Sequence, residues 1–199
     1  FKLRHICVFS IKKLMKSKEN IVFIGMMGSG KSSIGSIVSK KLNLPFFDID
    51  QLIENDQKMK ISKIFEIKGE DTFRDIEKKI TLNILKSKKG VIALGGGAFI
   101  TRAIKNEVLE SHLSFWLNWN IDTLVNRIKN SKKRPLAVNS SKNELIEIIK
   151  KRSIIYSKAL YKIDCENFTK QQIAKKIIDI YEANYCLLYT SDAADDDHC

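Results

Sequence analysis

The chain has 199 residues, enough for one ordinary domain with a hydrophobic core. Apolar residues make up 44% and charged residues 29%, a globular composition, and no apolar run is long enough to span a bilayer. The net charge is +12, but the lysines are scattered along the chain. This pattern argues against a nucleic-acid-binding surface and against a membrane partner, and it fits the binding of small anions such as ATP or a carboxylate.

The two ends of the chain differ in composition from the body between them. Residues 1–14 are basic and apolar, which predicts a non-native or disordered leader. Residues 186–199 read CLLYTSDAADDDHC, and this abrupt change predicts an artefactual or disordered tail. Three of the four cysteines lie in these ends, so the lone Cys165 supports neither a disulfide framework nor a thiolate metal site. We expect the domain itself to occupy residues 15–185.

The body alternates short apolar segments with helical patterns. We predict strands at residues 21–25, 45–50, 91–97, 113–119 and 161–167. Helical spacing of apolar residues is found at 30–43, 61–68, 70–86, around 124–128 and at 170–185, with Gly69 separating the second and third of these helices. Strands separated by helices predict a three-layer α/β/α fold with a five-stranded parallel sheet. The polar segment at 130–141 has no periodicity and is predicted to be a mobile lid loop.

A glycine-rich turn joins the first predicted strand to the first helix. From Gly25 to Ser32 it fits the pattern G-x-x-x-x-G-K-[ST], which lets backbone N–H groups and a helix N-terminus converge on phosphate oxygens. We expect Lys31 to reach the β- and γ-phosphates of ATP and Ser32 to bind Mg²⁺. The predicted nucleotide contacts are Gly28, Ser29, Gly30, Lys31, Ser32 and Ser33. Many kinases share this loop, so it does not identify the phosphate acceptor.

Two carboxylates follow at the end of the second predicted strand. Alternation along a strand places Asp48 and Asp50 on the same side, and ligands of a parallel sheet bind beyond the carboxyl ends of its strands. One carboxylate could hold Mg²⁺ through water, and the other could take the proton of a nucleophilic hydroxyl. The structural alternatives are a helix N-cap at Asp50 and a solvated turn residue at Asp48. The neighbouring phosphate loop favours the functional interpretation.

Cationic and glycine positions further along the chain could hold an acceptor. Arg74 and Glu77 are spaced i,i+3, so the arginine could clamp a carboxylate with the glutamate holding it, although spacing alone favours a surface ion pair. Gly95–Gly97 ends a predicted strand, where bare backbone admits a ligand or forms only a tight turn. Arg134 in the lid and Arg152 beyond it could each reach an anion or be solvated charge.

In this order and spacing, the segments DID, FRDIE, GGG, RPL and KR followed by a tyrosine resemble the shikimate kinase family, which has the nucleoside-monophosphate-kinase-like P-loop fold. The resemblance runs from about Asn20 to Tyr185. It implies ATP-dependent phosphorylation of the 3-hydroxyl of shikimate in aromatic amino acid biosynthesis. It also implies a cytoplasmic, monomeric enzyme that uses ATP and Mg²⁺.

The resemblance further implies roles for individual residues. Asp48 would support the metal, and Arg127 matches the position whose guanidinium stacks on adenine. Catalysis would fall to Lys31, to Asp50 as the base and to Arg134, which would reach the phosphates during transfer. Shikimate would be bound by Asp50, Arg74, Gly95, Gly96, Gly97 and Arg152.

Other functions remain open from the residues alone. A gluconate kinase or nucleotide kinase would share the phosphate loop but not the pair Arg74 and Arg152 together with three glycines. A non-catalytic nucleotide-binding module would be expected to lose Asp50 or Lys31, and both are present. A nucleic-acid-binding protein is favoured only by the net charge, without a platform of stacking aromatic residues.

Overall fold

The computed structural model describes residues 20–130 and 141–192, with side chains described as far as residue 184. Its elements in chain order are β1 (Ile21–Ile24), α1 (Lys31–Leu42), β2 (Phe46–Asp48), α2 (Ile49–Gln57), α3 (Ile61–Ser87), β3 (Val91–Ala93), a 3₁₀ turn (Ala98–Ile100), α4 (Arg102–Ser111), β4 (Leu113–Asn118), α5 (Ile121–Lys129), α6 (Lys142–Tyr156), β5 (Tyr161–Asp164) and α7 (Lys170–Asp192). The predicted leader and Arg134, with most of the predicted lid loop, lie outside the described residues.

The five strands form one parallel sheet in the order β2-β3-β1-β4-β5. The central strand β1 pairs with β3 and β4, so that Ile21 lies opposite Val91 on one side and Leu113 on the other. The strand order reverses around β1, and such a switch point is where ligands bind in open α/β sheets. The predicted fold class is confirmed, and the carboxyl ends of all five strands lie at the same edge.

Both faces of the sheet are covered, which explains the continuous apolar sequence of β1. Ile21 and Phe23 belong to one buried cluster with residues of α1 and α7. Val22 and Ile24 point to the opposite face and join a larger cluster with residues of α2 to α6. These two clusters are the two interfaces of a three-layer fold. None of the described helices combines the length and apolarity needed to cross a membrane.

Several element boundaries differ from the sequence prediction; for example, β5 ends at Asp164 rather than at residue 167. The second strand ends at Asp48 and α2 begins at once, because the side chain of Asp48 accepts a hydrogen bond from the backbone N–H of Gln51 and caps the helix. The third strand stops at Ala93, before the glycines. The last helix continues to Asp192, beyond the predicted end at residue 185. After β2 a helix begins directly at the ligand edge of the sheet, and after β3 the glycine turn begins there.

The helices α2 and α4 were not predicted, and of α6 the sequence predicted only a helical turn opening at Lys151 and Arg152. Lys151 and Arg152 lie inside α6, which begins at Lys142 with a capping box between Ser141 and Glu144. The predicted break at Gly69 is confirmed, since this residue has φ 78° and ψ 173° and kinks α3. The kink divides α3 into a first half beside α2 and a second half that carries FRDIE.

Candidate active site

The phosphate loop lies between β1 and α1. Gly28 and Gly30 have φ values of 78° and 90°, a region open to glycine and strained for other residues, so the loop backbone can turn sharply before the helix begins. The backbone N–H of Ile34 already donates to the carbonyl of Gly30 at 2.9 Å. The N–H groups of the first turn of α1 therefore point into the loop, where they favour an anion.

Lys31 folds back over the loop. Its Nζ donates to the carbonyl oxygens of Gly25 at 2.8 Å and Met26 at 2.9 Å, and its side chain is buried. Ser32 and Ser33 stand exposed at the start of the same helix. The loop thus places one buried cation and two exposed hydroxyls at a single helix N-terminus.

The two carboxylates at the carboxyl end of β2 belong to different elements. The expectation that Asp48 and Asp50 share one side of a strand is wrong, because Asp50 is in the first turn of α2. The N-cap is Asp48 rather than Asp50, and Asp48 is buried rather than a solvated turn residue. Both side chains still line the same cleft, because the helix starts immediately at the edge of the sheet.

Arg74 is held from two sides by carboxylates on its own helix. Its Nη1 donates to Glu77 Oε2 at 2.7 Å, while Nε and Nη2 donate to Glu70 Oε1 at 3.3 and 3.1 Å. Burial lowers the pKa of Arg74, and Glu77 and Glu70 raise it by more, so the guanidinium stays charged. Glu77 is only 1% exposed, so the interpretation of this pair as a surface ion pair is wrong.

The glycine turn after β3 touches both ends of this ion pair. A Cβ on Gly95 would collide with Glu77 Oε1 and lie 2.9 Å from Asp50 Oδ1. A Cβ on Gly97 would lie 2.5 Å from Arg74 Nη1. Only glycine leaves room here for the carboxylates and the guanidinium to approach the backbone.

The middle glycine of the turn contacts α6. The carbonyl of Gly96 accepts a short hydrogen bond from the Tyr156 hydroxyl and a longer one, 3.5 Å, from Arg152 Nη1. Met26 of the phosphate loop joins them, with its sulfur 3.9 Å from Arg152 Nη1 and 3.6 Å from the Tyr156 oxygen. Burial raises the pKa of Tyr156 to about 12, so its hydroxyl stays protonated and can donate. Arg74 and Arg152 therefore approach the same glycine turn from two different helices.

A cleft of about 590 Å³ opens over the phosphate loop at the carboxyl edge of the sheet. Apart from the phosphate loop and the start of α1, the cleft is lined by Asp48, Asp50 and Leu94 and by residues after β4 and β5, namely Trp119, Arg127, Phe168, Thr169 and Lys170. Asp50 also lies beside Gly95. It therefore stands where the phosphate cleft meets the glycine turn.

Sequence reasoning missed Trp119. This residue directly follows β4, and its indole Nε1 donates to the carbonyl of Ser29 in the phosphate loop at 2.9 Å. The guanidinium carbon of Arg127 lies 3.6 Å from the centre of the indole ring. Trp119 was the last residue of the predicted strand 113–119, and this position at the carboxyl end of a strand was the available signal, since that edge of the sheet is where ligands bind.

Comparison with known proteins identifies the family. A family model described as shikimate kinase matches residues 27–182. The chain belongs to the shikimate kinase family. A shikimate kinase of Bartonella henselae is 37% identical, with 88% of this chain and 85% of that protein covered. A shikimate kinase of Thermodesulfovibrio yellowstonii is 39% identical over 82% of this chain and 95% of that protein.

A solved structure agrees with this family membership. The shikimate kinase of Acinetobacter baumannii, solved in complex with shikimate, has a TM-score of 0.78 and 27% identity, with 87% of this chain and 98% of that chain covered. The family predicted from the sequence is therefore confirmed, and with it the assignment as an ATP-dependent kinase. This outcome favours a shikimate kinase over the gluconate kinase and the non-catalytic module.

Proposed function

We propose that this cleft transfers the γ-phosphate of ATP to the 3-hydroxyl group of shikimate, giving shikimate 3-phosphate. The observation that carries the proposal is the approach of two arginines, Arg74 and Arg152, to one glycine turn beside the phosphate loop. Two guanidinium groups at one place repel each other unless negative charge lies between them. Glu77 supplies one such charge, and the carboxylate of the acceptor would supply the next.

Arg74 can exchange one of its partners for the substrate. Its Nε and Nη2 edge faces Glu70, whose side chain is 55% exposed, and such an exposed ion pair is worth about 0–1 kcal/mol. A substrate carboxylate could take over this edge bidentately. The opposite edge stays with the buried Glu77, which fixes the orientation of the guanidinium throughout.

Asp50 is proposed as the general base. It lies between the phosphate cleft and Gly95, where an acceptor held by the arginines would direct its hydroxyl group toward the nucleotide. The carboxylate would take the hydroxyl proton as the oxygen attacks the γ-phosphorus. Lys31 would leave the two loop carbonyls and neutralise charge that develops on the phosphate.

The donors around the loop fit Mg²⁺. Ser32 and Asp48 offer hard oxygen ligands and line the same cleft, and Asp48 uses Oδ1 for its helix cap. Among the described residues no group of three or more acidic, histidine or cysteine side chains could hold a metal, so this pair would act together with phosphate oxygens and water. The bound ion would neutralise charge on the transferring phosphate.

Further roles rest on the resemblance. Arg134, outside the described residues, would reach the phosphates from the lid, and Arg127 would stack on the adenine. A cytoplasmic, monomeric enzyme with its domain at residues 15–185 is proposed on the same ground. Gel filtration tests whether the enzyme is a monomer.

The test of the proposed acceptor site is the pair Arg74→Lys and Arg152→Lys. Lysine keeps the charge but cannot reproduce the planar, two-pronged hydrogen bonds to a carboxylate. Losing a hydrogen bond to a charged group should raise the KM for shikimate about ten- to a hundredfold in each variant, with the KM for ATP nearly unchanged. Steady-state kinetics with each substrate varied in turn measures both constants.

A matched control is Arg102→Lys, because Arg102 is exposed at the start of α4. This variant should behave like the parent. A shikimate analogue without the carboxylate should respond little to either Arg74→Lys or Arg152→Lys. Unchanged KM values for shikimate in Arg74→Lys and Arg152→Lys would contradict the proposed binding of the substrate carboxylate by these arginines. Another acceptor would then have to be sought.

A further inference from the structure

Trp119 connects the end of β4 to the phosphate loop. Its side chain is half-buried and packs against both core clusters of the sheet, which fixes the indole ring from two sides. From this position its Nε1 donates to the carbonyl oxygen of Ser29 at 2.9 Å. Ser29 is completely buried, so this hydrogen bond is shielded from competing water.

Trp119 also sits beneath Arg127, which belongs to α5. The guanidinium carbon lies 3.6 Å from the centre of the indole ring, a close cation–π contact. The phosphate loop rests on the same helix, since a Cβ on Gly28 would lie 3.5 Å from Cβ of Arg127. Two successive loop residues, Gly28 and Ser29, thus contact the stacked pair formed by Arg127 and Trp119.

We propose that Trp119 is a positioning residue for the nucleotide, acting through the loop carbonyl of Ser29 and through the guanidinium of Arg127. A carbonyl held by an indole N–H cannot turn toward the phosphates, whose oxygens it would repel. The indole covers one face of the exposed Arg127 guanidinium, so the opposite face is presented to a flat group such as a purine base. This inference rests on the proposed function only in that the cleft binds ATP.

The two contacts can be separated by two substitutions. Trp119→Phe keeps an aromatic ring under Arg127 but removes the N–H that holds Ser29. Trp119→Leu removes both contacts. The matched control is Trp116→Phe, since Trp116 is the other tryptophan, lies on β4 three residues before Trp119 and is buried in the core. A purely structural role of Trp119 would make its variants resemble this control.

The experiment is calorimetric titration of ADP into each purified variant, together with the KM for ATP, the KM for shikimate and the melting temperature. We expect Trp119→Phe to bind ADP about three- to tenfold more weakly, as for the loss of one hydrogen bond. Trp119→Leu should lose about a further two- to fivefold with the cation–π contact. The KM for ATP should rise in parallel and the KM for shikimate should not, while Trp116→Phe keeps the parent's ADP affinity.

Two results would overturn the inference. One is an ADP affinity of Trp119→Phe equal to that of the parent, whatever Trp119→Leu does. The other is an equal rise in the KM values for ATP and shikimate, which would mean general damage to the cleft. The ADP titration contains no acceptor, so a parent enzyme that fails to phosphorylate shikimate would refute the proposed function without affecting this test.

Discussion

The acceptor side of the cleft depends on one buried carboxylate, that of Glu77. Burial raises the pKa of Glu77, Arg74 lowers it in part, and the nearby Asp50 raises it again. The net pKa lies above the ordinary value of 4.5, so the fold favours the protonated form more than water does. Glu77 must nevertheless be ionised to hold Arg74 by charge, so protonation of Glu77 on acidification would weaken the ion pair.

We predict that acidification raises the KM for shikimate, and that this rise begins at a higher pH than it would if Glu77 had the pKa of an ordinary glutamate. As the pH falls through the raised pKa of Glu77, its charge is lost and Arg74 is no longer held in place. The sign for stability is the opposite, because a carboxyl with a raised folded pKa gains stability as the pH falls from the folded pKa toward the unfolded one. The measurement is a pH profile of both KM values.

Glu77→Gln is the control for this pH effect. It removes the titrating charge, so its KM for shikimate should be raised already at neutral pH and should change less on acidification than that of the parent. The KM for ATP serves as an internal reference. If the parent and Glu77→Gln had identical pH profiles, a group other than Glu77 would be responsible for the rise in the shikimate KM at low pH.

At the scale of elements, the kink in α3 sets the position of the half-helix that carries Arg74. Gly69 adopts φ 78° and ψ 173°, a region almost exclusive to glycine. A Cβ at this position would meet no atom within 4 Å, so a larger residue would suffer backbone strain without steric overlap. The kink lets the second half of α3 turn toward the glycine turn at Gly97.

We predict that Gly69→Ala lowers the free energy of unfolding by about 1–3 kcal/mol, the cost of this backbone conformation for a residue with a Cβ. If the chain relieves the strain by continuing the helix, Arg74 moves and the KM for shikimate rises as well. Urea denaturation and kinetics measure the two effects. Lys78→Ala, at an exposed position of the same helix, is the control, and equal stabilities of the two variants would refute the strain.

At the scale of the whole molecule, the carboxyl edge of the sheet serves ligand binding and the opposite edge serves stability. The carboxyl edge carries the cleft, while the opposite edge is closed by the buried side chain of Asn20, just before β1. Asn20 accepts from the backbone N–H of Gly90 at 2.8 Å, donates to the carbonyl of Leu85 at 3.2 Å and lies 3.3 Å from His112 Nδ1. These bonds join α3, β1 and the start of β3 and β4 far from the ligand edge.

We predict that Asn20→Ala lowers the free energy of unfolding by about 1–3 kcal/mol, because it leaves buried backbone groups of Leu85 and Gly90 without their partner. Both KM values should stay as in the parent, since the cleft lies at the other edge. Denaturant unfolding with parallel kinetics measures this. Asn106→Ala, at an exposed site on α4, should leave both quantities unchanged. A large rise in either KM for Asn20→Ala would show that the two edges are coupled.

The sequence by itself determined the features that depend on neighbouring residues. The phosphate loop could be predicted because strand, glycine turn and helix follow one another between residues 21 and 42. The break at Gly69 could be predicted because a glycine interrupts a helical pattern there. The parallel sheet followed from the alternation of apolar segments and helices. The spacing of Arg74 and Glu77 predicted their pairing, since i and i+3 meet on one helical turn.

Only the tertiary structure decided whether the ion pair of Arg74 and Glu77 is buried, since burial depends on which elements pack over it. The capping of α2 by Asp48 moved Asp50 onto a helix, which strand alternation could not foresee. The contact of Trp119 with Ser29 joins residues 90 positions apart, and that of Tyr156 with Gly96 joins residues 60 positions apart. Local periodicity carries no information at such separations. These contacts exist because the parallel strands bring their carboxyl ends to one edge, and the strand order around β1 determines which loops meet there.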